Sequence, residues 1–232
     1  MSNTANLAAL QAVARALGPL RERVVFVGGS TAGLYSTAAR AAESRPTMDV
    51  DCIIEVMPRM AYYVLEEELR ALGFRHDQES NVICRWRVAG LVVDVMPVGE
   101  DNILGFSNPW YPEGFAHAIP YVLPDETTIQ IMPAVYFIAT KLAALRSRGM
   151  SDIRLSSDLE DIVYVLDNRP ALGAEVAAAS PAVRAYIAAE VSRLLLHPEL
   201  REAIDCQLPY GSGDERKFII ERRLQTLTSV GQ

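Results

Sequence analysis

The sequence predicts an α+β fold, with strands gathered in residues 1–132 and helices filling residues 133–232. Short apolar runs bounded by turn residues, Val24–Val27 foremost, recur through the first half and read as buried strands. From Pro133 onward, apolar residues instead recur every three or four positions, the spacing of a helix that buries one stripe. With 232 residues, 50% of them apolar, the chain is long enough to bury a substantial core.

Residues 4–18 carry Leu7, Leu10, Val13 and Leu17 at helical spacing, with Asn3 or Thr4 as cap and Gly18-Pro19 as stop. The expected task of this helix is to cover an edge of the sheet. Val24–Val27 then runs into Gly28-Gly29-Ser30, a buried strand delivered into a tight polar turn, and residues 30–42 are expected to open a helix. Residues 48–56 read as a second strand that carries Asp49 and Asp51 where apolar side chains are the norm. Residues i and i+2 of a strand share a face, so the two carboxylates project together while Val50, Cys52 and Ile54 face the core.

Two like charges on one half-buried face are costly unless a cation compensates them. The simplest compensation is a divalent metal, because Mg²⁺ prefers carboxylate oxygens. The glycines beside them let backbone N–H groups approach phosphate oxygens, and Ser30 adds a hydroxyl donor. A metal beside a phosphate cradle implies a nucleotide. A dinucleotide-binding reading fails, because no G-x-G-x-x-G is present, and a Walker loop fails because no Gly-Lys-Ser/Thr follows the glycines.

Residues 60–72 form an amphipathic helix ended by Gly73, followed by a meander over residues 74–75, 81–88 and 91–98 with Ala89-Gly90 as its last turn. Asp94, inside Val92-Val93-Asp94-Val95-Met96, repeats the anomaly of Asp49 and Asp51; the rival reading is a carboxylate facing solvent. Residues 99–124 read as irregular and rich in Pro, Gly and aromatics (Phe106, Trp110, Tyr111, Phe115, Tyr121), of which Trp110 and Tyr111 pack a loop onto the core or stack on a base. Residues 127–131 should be the last strand. A helix from Pro133 to about Ser147 follows, with Val135, Ile138, Leu142 and Leu145 buried and Lys141 off that stripe. In the next helix Leu155, Leu159, Ile162 and Leu166 are expected inside, and Asp158 and Asp161 sit together at i, i+3. Further helices are expected near 174–179, 181–196 and 214–228, the last with a basic cluster of Arg216, Lys217, Arg222 and Arg223 that faces solvent or meets RNA.

The net charge of −7 argues against a protein that coats nucleic acid, and no stable DNA binding is expected. Cys52, Cys84 and Cys206 are odd in number and widely spaced, so reduced, buried cysteines of a cytoplasmic protein are expected. No run approaches the roughly 18 apolar residues of a membrane span, and no signal pattern opens the chain.

The ordered set Gly28-Gly29-Ser30, Asp49-x-Asp51, a single Asp94 on a later strand, Lys141-Leu142-Ala143-Ala144-Leu145 and Asp158-Leu159-Glu160-Asp161-Ile162 resembles the signature of the polymerase-β-type nucleotidyltransferase superfamily. The spacing of Ser30 from the Asp pair, with Arg45 and Thr47 just before that pair, is similar to the AbiEii/MenT branch, the transferase toxins of bacterial toxin–antitoxin and phage-defence systems. The resemblance spans about residues 20–168. It implies a mixed-sheet nucleotidyltransferase core (1–132) and a helical region (133–232) that completes the nucleotide site.

The resemblance further implies that Asp49, Asp51 and Asp94 hold Mg²⁺, as two ions about 4 Å apart, with Mn²⁺ able to substitute. Asp94 would also act as general base on the acceptor hydroxyl. Gly28, Gly29 and Ser30 would hold the triphosphate of ATP or another NTP, and Lys141 would meet it, oriented by Asp158 or Asp161. The acceptor would be the 3′ end of tRNA or a Ser, Thr or Tyr hydroxyl of a protein, with an antitoxin as partner. A catalytically silent nucleotide-binding module is the alternative of another class.

Overall fold

The computed structural model describes residues 4–39, 41–55, 60–98, 108–209 and 211–229. They gather into two compact units, residues 4–31 with 46–133 and residues 32–45 with 134–229. Asn3, Val56 and Phe106, to which the sequence gives a role in a cap, a strand and a loop, lie outside the described residues.

The first unit is built on a seven-stranded mixed sheet in the order β3-β4-β5-β2-β1-β7-β6. Its strands are β1 (Val24–Val27), β2 (Asp49–Glu55), β3 (Arg75–His76), β4 (Arg85–Val88), β5 (Leu91–Val98), β6 (Ile119–Val122) and β7 (Thr128–Ile131). β1 pairs antiparallel with β2 and parallel with β7, while β2 pairs parallel with β5; the outer pairs are antiparallel. All four residues of β1 are buried, as its uninterrupted apolar run demands of a central strand. Helix α1 (Thr4–Leu17) buries Leu10, Val13, Ala14 and Leu17, and it packs on β2 and β5 in the middle of the sheet rather than at an edge. Helix α2 (Met60–Ala71) stops where Gly73 turns left-handed at φ +88°, and Phe74 N–H closes the end by donating to the Leu69 carbonyl.

Two expectations for this unit need correction. The second meander strand begins at Arg85, not at residue 81, because Arg85 N–H bonds back to Val82 in a turn. The stretch read as irregular contains the short helix α3 (Tyr111–Ala116), which packs on β2, and the edge strand β6. β6 escapes the alternation rule because most of its side chains are exposed and Pro120 sits within it, as an edge strand permits.

The second unit is helical: α4 (Ala134–Ala144), α5 (Ser157–Asn168), α6 (Leu172–Ala178), α7 (Pro181–Leu195), α8 (Leu200–Gln207) and α9 (Gly213–Ser229). α4 was expected to bury one stripe. Instead every residue from Ala134 to Leu142 is buried, which makes it the unit's central helix, packed by α5 and α7. It continues into a π turn over Leu145–Gly149, a widened turn rather than further α-helix. Leu155 lies in a separate 3₁₀ turn (Ile153–Leu155) and is 83% exposed; Ile153 is buried in its place. Ser156 caps α5 by accepting from Leu159 N–H.

The helix expected over residues 30–42 is a 3₁₀ helix that ends at Tyr35. Beyond it, Thr37 and Ala38 donate their N–H groups to the Asn168 carbonyl at the end of α5, which draws the backbone out of helical geometry. No helix among the described residues is long and apolar enough to cross a membrane.

Candidate functional site

In the first unit the sheet register brings three carboxylates together. Asp51 on β2 lies beside Asp94 on β5, and Asp49, two residues earlier, shares the face of Asp51. One oxygen from each of Asp49, Asp51 and Asp94 lies within 4.8 Å of the other two, a spacing that a single ion can bridge. Asp94 is buried, and Asp49 and Asp51 are half-buried. Asn6 of α1 fixes the approach to β2: its side-chain oxygen accepts Thr47 N–H at 3.0 Å, and the Thr47 hydroxyl donates to the Asp49 carbonyl at 3.0 Å.

Gly28 closes the other side of this cluster. Its φ is +73°, and a Cβ at this position would fall 1.9 Å from Asp51 Oδ2. Only glycine fits, on both backbone and steric grounds. Ser30 is buried and its hydroxyl faces the Val27 carbonyl at 3.5 Å, while Thr31 donates N–H and hydroxyl to the Gly28 carbonyl at 3.2 and 2.9 Å. Gly29 and Ser30 thus form a tight 3₁₀ turn whose conformation is locked from within.

Sequence reasoning missed Arg85. Its guanidinium grips Asp94 with both arms, Nε to Oδ1 at 2.8 Å and one terminal nitrogen to Oδ2 at 2.7 Å. The same terminal nitrogen reaches Asp49 Oδ2 at 3.1 Å. The hydrogen bond to Asp94 and the charges of all three aspartates raise the Arg85 pKa above its ordinary value. The information was present in the chain. A two-residue turn at Ala89-Gly90, with both φ values positive, pairs Val88 with Leu91 and therefore Arg85 with Asp94.

Cys52 and Cys84 are buried, as expected, and burial pushes both thiols up, Cys84 to about 12. Cys206 departs from the expectation and is exposed.

The second unit holds a separate charge network. Lys141, off the predicted stripe of α4, is buried with its Nζ 3.2 Å from Asp158 Oδ1 and 2.7 Å from Asp161 Oδ2. Both acids therefore hold the lysine, because i and i+3 on α5 point the same way. Arg148, from the π turn, grips Asp158 at 2.8 and 3.0 Å, and Arg45 grips Asp161 at 2.9 and 3.0 Å. Burial opposes ionisation of Asp158, yet the Arg148 hydrogen bond and the charges of Lys141 and Arg148 prevail and hold its carboxyl below the usual value. For Arg45, burial works against the charge, and the bond to Asp161 overrides it and raises the pKa.

The basic residues of α9 are largely engaged within their own unit. Arg216 pairs with Asp167 at 2.9 Å, Lys217 with Asp205 and Asp214 at 2.9 and 3.1 Å, and Arg223 donates to the carbonyls of Leu166 and Asp167. They pin α9 to its neighbours. Trp110 is half-buried and its backbone N–H donates to the Asn108 side-chain oxygen, and Tyr111 opens α3.

The carboxylate trio therefore offers hard oxygen donors on a rigid strand pair, next to a glycine turn that side chains cannot invade. No protein-family model matches the chain, and no curated protein matches it.

Proposed function

We propose that the protein is a Mg²⁺-dependent nucleotidyltransferase that moves a nucleoside monophosphate from an NTP to an acceptor hydroxyl and releases pyrophosphate. The observation that carries this reading is the convergence of Asp49, Asp51 and Asp94 within 4.8 Å on one face of adjacent strands, beside the Gly28 turn. The donor set fits the ion: three carboxylates are hard oxygen ligands of the kind Mg²⁺ takes, and no softer donor is among them. A divalent ion held there would neutralise triphosphate charge and make the acceptor hydroxyl more acidic.

The chain's own residues then have definite tasks. Asp49 and Asp51 would hold the ion from one strand. Asp94 accepts the proton of the acceptor hydroxyl as that oxygen attacks the α-phosphorus; the bond from the α-phosphorus to the β-phosphate bridging oxygen breaks, and pyrophosphate carries away the electron pair. Gly28, Gly29 and Ser30 place backbone N–H groups at the triphosphate. Positioning and charge neutralisation supply most of the rate, so loss of one carboxylate should cost nearly all activity.

The acceptor proposed is the 3′ end of tRNA, in a toxin-like role countered by an antitoxin. AMP transfer to a protein hydroxyl is the next reading. Purified protein incubated with each α-labelled NTP, Mg²⁺, and total tRNA or cell lysate separates them, with Asp49→Ala run alongside. Label in RNA with wild type alone supports the tRNA reading, and label in a protein band supports protein modification. One observation favours a silent nucleotide-binding module, namely that Arg85 already pairs with two of the three acids. Mg²⁺-dependent NTP binding with no label anywhere would decide for that module.

A further inference from the structure

We propose that Arg85 is a built-in counter-cation of the carboxylate trio, which a divalent ion must displace in order to bind. The inference rests on the metal-site reading above and goes beyond it: metal loading and release of Arg85 become one event. The geometry makes the two cations exclusive. One terminal nitrogen of Arg85 lies 2.7 Å from Asp94 Oδ2 and 3.1 Å from Asp49 Oδ2, so it sits between the two carboxylates that an ion would bridge. Mg²⁺ would need those oxygens at about 2.0–2.1 Å. Both Asp94 oxygens are already engaged in a two-armed grip, the strongest form of this interaction.

The register fixes the grip. Arg85 and Asp94 are direct partners across β4 and β5, and the Ala89-Gly90 turn leaves no room for slippage. Arg85 already meets solvent, because its side chain is 26% exposed. In the metal-free protein, then, Arg85 offsets part of the repulsion among the three clustered acids by pairing with Asp94 and Asp49. Once displaced, it frees Asp94 to hold the ion and to take a proton. The consequence is a site whose affinity for a bare ion is held down. It loads most readily when metal arrives already bound to a triphosphate.

The test is Mn²⁺ titration of the metal-free chain, read by calorimetry and by the rise in Tm, with no turnover involved. Wild type is compared with Arg85→Gln and Arg85→Lys, and circular dichroism verifies that each is folded. Removing a unit charge so close to the ion should tighten Mn²⁺ at least about tenfold in Arg85→Gln. The same variant should have a lower Tm without metal and a larger rise with it. Arg85→Lys keeps a charge for folding but lacks the two-armed grip, so it should bind Mn²⁺ several-fold tighter than wild type; if Arg85→Gln does not fold, this variant decides. Equal or weaker Mn²⁺ binding in the variants overturns the displacement idea and leaves the metal site standing. No Mn²⁺ binding by any of the three at millimolar concentration overturns the metal-site reading itself.

Discussion

Replacing Lys141 by Met probes what the buried network of the second unit contributes. Met keeps the length and most of the apolar stem of lysine, so little cavity is created and the perturbation is mainly one of charge. The ammonium lies 3.2 Å from Asp158 and 2.7 Å from Asp161, whose side chains are 2% and 1% exposed. Without it, two buried carboxylates lean on Arg148 and Arg45 alone, and those side chains are 69% and 21% exposed.

Breaking a buried ion pair from one side costs about 3–5 kcal/mol, because the partner charge is left uncompensated. The two arginines retain part of the compensation, so the lower end, about 3 kcal/mol, is expected. Against a typical total of about 5–15 kcal/mol this is a large fraction, and a urea titration followed by circular dichroism will resolve it. The double variant Lys141→Met with Asp161→Asn removes one of the stranded charges and should recover part of the loss, on the order of 1 kcal/mol. A Lys141→Met protein with an unchanged urea midpoint would refute the reasoning. The ammonium would then be a spectator and the arginines sufficient.

Gly28→Ala forces a left-handed alanine, at about 1–2 kcal/mol, and pushes Asp51 off its position, since the new Cβ would lie 1.9 Å from Oδ2. Mn²⁺ binding should weaken severely while the fold survives; wild-type affinity would show that Asp51 is dispensable to the ion. Asp158 carries a lowered pKa, so folding favours its ionised form. Its stabilisation is present above the ordinary value of 3.8 and is lost as pH falls through the lower folded value. Urea midpoints taken from pH 6 downward should drop in that acid range for wild type and more shallowly for Asp158→Asn; parallel curves would contradict the assignment. Asn6→Ala deprives Thr47 N–H of its acceptor and should cost about 1 kcal/mol, with an unaltered midpoint counting against a supporting role for Asn6.

What could be read from the sequence followed the physics of each feature. β1, β2 and β5 were legible because central strands carry apolar runs, against which the Asp pair stood out, and β7 because Ile129 and Ile131 alternate with the polar Thr128 and Gln130. β6 was not, since an exposed edge strand has no need of alternation. α4 was misjudged for a related reason: a helix buried on every side has no polar face to betray its orientation, and one lysine within it looks like a surface residue. Arg85 was overlooked because arginine on a strand is ordinary, and its meaning appears only when the two-residue turn is used to count register from Val88 and Leu91 back to Asp94.

The two acid clusters answer the same electrostatic problem in different ways. In the second unit the compensating cation is an ammonium on the unit's central helix, buried between its acids and unable to leave without stranding them. In the first it is a guanidinium a quarter exposed, on a strand near one side of the sheet. A fixture belongs where the charges serve only to set geometry, and a replaceable cation belongs where another ion must enter. The same kind of substitution, cation to neutral side chain, should therefore have opposite effects on ligand readiness. At Lys141 it costs stability and adds no affinity for metal, whereas at Arg85 it costs stability and opens the site. Two lesions similar in chemistry and different in Mn²⁺ response would separate a structural ion pair from a guarded metal site, a distinction that burial and pairing distance alone do not make.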